Sequence, residues 1–83
     1  MPIPILYAIL IERLMRCHGQ KVSFRDFRSA VSHLGVCSEV SVRLIREMSE
    51  MGLISVDALK CRHAGGVIIK KRAYALALRR LGP

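Results

Sequence analysis

Gly19, Gly35 and Gly52 each stand at the end of a stretch whose apolar residues recur with helical spacing, and the last of them runs straight into Leu53-Ile54-Ser55-Val56. Glycine is the residue that tolerates the left-handed backbone just past a helix end, so each reads as a stop. A chain punctuated in this way closes three helices in succession before it reaches β-prone sequence. With 83 residues, 52% of them apolar, it has the length of one small domain and too much hydrophobicity for a disordered segment. The expected architecture is α+β, a single domain over residues 1–83.

The first helix is expected from about residue 4 to 17. Pro4 suits a first turn, where a missing N–H costs nothing. Leu6, Ile9 and Leu10, Leu14 and Cys17 follow the helical period, and Ile5, Tyr7 and Ile11 widen the apolar face. A face that wide needs two neighbours: the domain core and, on this reading, a second copy of helix 1. The second helix is expected from about 23 to 34, with Ser23 as N-cap and Asp26 three residues on in a capping-box pattern. Its apolar face is Phe24, Phe27, Ala30, Val31 and Leu34. The third is expected from about 38 to 51, with Ser38 as N-cap. At ~100° per residue, Val40, Met48 and Met51 lie within about 40° of Leu44 and form a buried stripe, while Glu39, Val42, Arg43, Arg46 and Glu50 project from the other side.

Leu53–Val56 and Val67–Ile69 then read as two arms of a β-hairpin, with Gly65-Gly66 entering the second arm and a basic tip at Lys60-Cys61-Arg62-His63. The end of the chain fits two periods. Tyr74, Leu76 and Leu78 alternate like a strand; Tyr74, Leu78 and Leu81 also fit a helix. Pairing the arms about the tip places Tyr74 beside Leu53–Ser55, so the hairpin is expected over about 53–76, with a short remainder.

Charge is distributed unevenly. The chain carries 14 Lys and Arg against 6 Asp and Glu, a net of +8; residues 1–59 are nearly balanced, and residues 60–83 hold seven basic residues and no acid. Such asymmetry points to a polyanionic partner. Cys17, Cys37 and Cys61 are odd in number and widely spaced, as in reduced thiols of a cytoplasmic protein. The apolar run Ile3–Ile11 is too short for a bilayer, which takes ~20 residues, and lacks the flanks of a signal peptide, so no membrane partner is expected.

Helix, short turn with glycine, helix and hairpin is the order of a helix-turn-helix unit followed by a wing. Leu34-Gly35-Val36-Cys37-Ser38, Val42-Arg43-Leu44-Ile45-Arg46-Glu47-Met48 and Gly52-Leu53-Ile54 resemble the winged helix-turn-helix family, in particular small prokaryotic transcription regulators of the MarR and GntR kind. The resemblance covers roughly residues 22–76 and departs at Ser41, where those proteins usually show an apolar residue. It implies three helices followed by a wing, and sequence-specific binding of double-stranded DNA in transcriptional regulation in a prokaryote or one of its viruses. Carried over position by position, it implies base reading by Ser38, Glu39, Val42, Arg43 and Arg46 of the third helix, and contacts by Lys60, Arg62, His63 and Lys70 of the wing; Arg25 and Arg28 of the second helix are backbone candidates.

The chemistry of these residue types agrees. Arg bonds both acceptors of a guanine edge, a discrimination of ~1–3 kcal/mol. Lys and Arg on a wing neutralise phosphates and release counterions. Ser38 and the free N–H groups of a helix start suit a phosphate. Against this, Glu39 and Glu47 flank Arg43 at four residues and Glu50 follows Arg46 at four, so both arginines also fit ordinary intrahelical ion pairs worth ~0.2–0.5 kcal/mol each. The six acids, three histidines and three cysteines form no recognisable catalytic set or zinc-ligand spacing, so neither an enzyme nor a cofactor or metal is expected. The expected partners are duplex DNA in the nucleoid and a second copy of the chain through helix 1. A ribosomal-type RNA-binding winged helix and a protein–protein adaptor share the same element order.

Overall fold

The computed structural model describes residues 3–57 and 65–82. Its elements are α1 (Ile5–His18), β1 (Lys21–Ser23), α2 (Phe24–His33), a 3₁₀ turn (Ser38–Val40), α3 (Ser41–Glu50), β2 (Ile54–Asp57), β3 (Gly66–Ile69) and α4 (Lys71–Leu81). The strands form one antiparallel sheet in the order β1-β3-β2.

Local sequence explains most of these boundaries. Pro4 precedes α1, and Gly19, at φ +83°, closes it with its N–H on the Met15 carbonyl. Ser23 caps α2: its Oγ accepts from the Asp26 N–H at 3.1 Å. The Asp26 carboxylate lies 3.7 Å from His18 Nδ1 at the end of α1. Gly52, at φ +74°, stops α3 and releases the chain into β2. The third helix starts later than its sequence suggests. Residues 38–40 form a 3₁₀ turn whose N-terminal flank is Cys37, so Ser38 is not the N-cap of an α-helix.

Two further departures from the sequence reading concern what a segment pairs with. Residues 21–23, expected only as the connection from the Gly19 stop to the Ser23 cap, form a strand: Val22 is buried opposite Val67, and Lys21 and Ser23 pair with Ile68 and Gly66. Three residues carry no visible period, and the strand exists because β3 offers it a free edge. The hairpin does not continue to residue 76. Ile54 pairs with Ile69, and the Lys70 N–H reaches the Leu53 carbonyl at 3.1 Å. Upstream of Leu53 the chain already belongs to the end of α3, so β3 has no partner past residue 70. Residues 71–81 instead form α4, which lies against α1 with Ala73 and Ala77, four residues apart, fully buried. The architecture is therefore α+β: the expected order of three helices followed by a hairpin holds in outline, and β1 as a third strand and α4 as a fourth helix are added to it.

One core joins these elements. Leu10, Ile11 and Leu14 of α1, Phe27 and Val31 of α2 and Met48 of α3 meet Leu53, Ile54, Val67 and Ile69 of the sheet region. Met51, placed by periodicity in the buried stripe, is 40% exposed because it sits at the helix end rather than within it. No helix among the described residues is long and apolar enough to cross a membrane.

Candidate nucleic-acid interface

Four elements converge on one open groove of about 680 Å³. The start of α2 contributes Phe24, Arg25 and Arg28; the 3₁₀ turn contributes Ser38 and Glu39; α3 contributes Ser41, Val42 and Ile45; and β2 contributes Val56. The helix–turn–helix connection makes this possible. Gly35, at φ +80°, turns the chain sharply after α2, so the start of α3 is carried past the start of α2 and beside the first wing strand.

Five of the eleven residues singled out by sequence line this groove. Arg25, Arg28, Ser38, Glu39 and Val42 line the groove, and Arg43 and Arg46 are exposed on α3 outside its lining. Lys70 is exposed but stands at the end of β3 away from the hairpin tip, so the fold does not bring it to the groove. Lys60, Arg62 and His63 lie outside the described residues.

The electrostatics of α3 differ from what its i,i+4 spacings allow. Among the described residues, the ion pairs are Arg16 with Glu12 at 3.1 Å and the His18–Asp26 contact; no carboxylate lies within pairing distance of Arg43 or Arg46. Glu47, the partner that spacing offers to Arg43, instead accepts a hydrogen bond from the Tyr7 hydroxyl of α1. That bond, together with burial and the adjacent carboxylate charge, pushes the Tyr7 hydroxyl up to about 12. With Glu47 bonded to Tyr7, one carboxylate that spacing offers to Arg43 is engaged elsewhere; Glu50 stands four residues after Arg46, and among the described residues no ion pair joins them.

Part of the basic C-terminal quarter is engaged within the molecule. Arg72 donates to the Met51 and Gly52 carbonyls at 3.4 and 3.2 Å, where a cation complements the exposed acceptors at the end of α3. Arg80 Nε donates to the Ile3 carbonyl at 3.1 Å, fastening α4 to the start of α1. Lys71, Arg72, Arg79 and Arg80 all ride on α4 rather than on the wing.

Sequence reasoning missed the apolar side of the site. Phe24 was assigned to the core face of α2, yet it is 37% exposed, lines the groove and packs against Gly65, where a Cβ would come within 2.7 Å of its ring. Its position as the first residue of α2, immediately after the Ser23 N-cap, is the available signal. Ser41 is buried, and its Oγ has no hydrogen-bond partner among the described residues. Among those residues no three His, Cys, Asp or Glu side chains come together as a metal site.

Helix, strand, helix, turn, helix and an antiparallel hairpin closing on the first strand define a winged-helix fold. No family model matches the sequence, and no curated protein is significantly similar to it. A solved structure does share its architecture: that of a MarR family protein from Bacillus stearothermophilus, with a TM-score of 0.70 and 10% sequence identity over 98% of this chain. The chain spans about half of that protein, 53% of its length. At that identity the likeness is one of fold.

Proposed function

We propose that this protein binds double-stranded DNA sequence-specifically and acts as a transcription regulator, with α3 in the major groove and the wing over adjacent phosphates. The observation that carries the reading is the state of Arg43 and Arg46: exposed on α3 and free of carboxylate partners among the described residues. An unpaired guanidinium on the outer face of the second helix of a helix-turn-helix unit is the group that reads guanine O6 and N7. Arg25 and Arg28 at the start of α2 serve as phosphate contacts beside the groove, and Ser38 and Glu39 lie in the 3₁₀ turn just before the end of α3 that enters first. Lys60, Arg62 and His63 supply further backbone contacts from the wing by virtue of their place in the sequence.

Selection of bound oligonucleotides from a random duplex library tests the reading. The expected result is an enriched palindrome, as a symmetric pair of chains requires. Binding is expected to weaken steeply with salt. Arg43→Ala alters preference at one base position at a cost of ~1–3 kcal/mol, whereas Lys60→Ala with Arg62→Ala weakens binding at every sequence. Enrichment of nothing from the duplex pool, with tight binding of structured RNA or salt-insensitive capture of a protein instead, contradicts it.

A further inference from the structure

We infer that Val42 reads the C5-methyl group of a thymine, so that each bound half-site carries a T·A pair opposite the first half of α3. The inference rests on the DNA-binding reading and specifies what that interface recognises. Val42 is 67% exposed, the most exposed large apolar residue described, and it does not stand alone. Phe24, Ile45 and Val56 line the same groove, so three elements contribute to one apolar surface beside the arginines of α2 and α3. Contiguous apolar surface on a small protein marks an interaction site, whereas a scattered exposed valine does not.

Charge around that surface selects its occupant. Arg25 and Arg28 flank the groove on the α2 side, and Arg43 and Arg46 extend along α3. A ring of cations around an apolar strip complements a duplex, whose phosphates border a groove lined by base edges. Glu39 shares the outer face of the helix with Val42, three residues before it, and also lines the groove. A carboxylate there repels a phosphate, so base edges rather than backbone face this part of α3. Of the groups that base pairs present in the major groove, the thymine methyl is the apolar one. Any other edge placed against Val42 loses water from a donor or acceptor and gains no partner. A β-branched side chain on a helix keeps essentially one rotamer, so Val42 is already ordered before the duplex arrives.

The test uses the full chain and the duplex recovered by random selection. Thymines are replaced one at a time by deoxyuridine, which deletes the methyl and leaves base pairing and O4 intact. One substitution per half-site is expected to weaken wild-type binding about three- to fivefold, the worth of one buried methyl group. That penalty is expected to vanish in Val42→Ala, whose fold is checked by circular dichroism. Tight, salt-dependent binding that is indifferent to every deoxyuridine, or a penalty that persists in Val42→Ala, overturns the inference and leaves DNA binding standing. A Val42→Ala change that alters sedimentation but not duplex affinity assigns the groove to a second copy and also overturns it. Failure of the wild-type chain to bind any duplex overturns both readings together.

Discussion

Tyr7 and Glu47 are forty positions apart, and their hydrogen bond ties the first helix to the helix that presents the arginines. The bond has a function beyond packing: it holds Glu47 inward, where it cannot neutralise Arg43. Its energetic signature is set by the hydroxyl, which ionises near 10.0 in a free side chain and is held until about 12 here. The unfolded chain therefore loses this proton first as pH rises. Stability from the bond is present in full below pH 10 and is lost progressively towards pH 12. Tyr7→Phe is expected to cost about 1–2 kcal/mol at neutral pH, the value of a hydrogen bond to a partly buried carboxylate. Urea unfolding of both proteins across pH 7–12 checks this. The gap between them should be constant up to pH 10 and then close; a gap that stays open would show that the hydroxyl does not titrate as the bond requires.

At the level of elements, the wing is held by close backbone approach as much as by side chains. Gly66 pairs with Ser23 on one side and Asp57 on the other, at the point where β1, β3 and β2 meet. A Cβ there would fall 2.3 Å from the Val22 carbonyl oxygen and 3.0 Å from the Ser23 Cα. Neither atom is at the end of a flexible side chain, so the strands themselves must part. Gly66→Ala is expected to lower stability by about 1–3 kcal/mol, the usual range for overpacking, and to raise amide exchange at Val22 and Val67. Unchanged exchange and an unchanged melting temperature would mean that β1 is not held in the observed register. The same element shows where local reading runs out. The Gly65-Gly66 pair was visible as a hairpin feature, but nothing in Lys21-Val22-Ser23 announces a strand.

Over the whole molecule, the division of labour among the cations decides how much of the positive charge is left uncommitted. The net charge of +8 is not gathered on the wing. Arg72 and Arg80 bond to carbonyls within the molecule, and α4 carries much of the C-terminal excess. The same helix bears on assembly. Helix α1 was expected to need a second neighbour, and α4 supplies one, yet Ile5 and Ile9 of α1 and Leu78 and Leu81 of α4 remain exposed. The Arg80–Ile3 bond brings the end of α4 to the start of α1, the half of α1 that carries Ile5 and Ile9. On the proposed homodimer through α1, Ile9→Lys is expected to give a folded monomer in sedimentation and to weaken binding to a palindromic duplex. A wild-type chain that is already monomeric at micromolar concentration while binding the palindrome tightly would contradict that dimer.

The sequence by itself determined whatever depends on neighbours along the chain. The helix-turn-helix order, the stops at Gly19, Gly35 and Gly52, the Ser23 cap and the outward set of Glu39, Val42, Arg43 and Arg46 all follow from periods and caps that span a few residues. Tertiary structure alone decided what depends on a partner distant in sequence. β1 forms because β3 has an open edge; residues 71–81 become a helix because β2 is too short to pair with them and α1 accepts two buried alanines. Arg43 is not paired with Glu47 for the same kind of reason, since Glu47 bonds to Tyr7 of α1 instead. A sidechain period reports which face of an element is apolar, but the identity of what covers that face, and of the charge that is left uncovered, is fixed only when the elements pack.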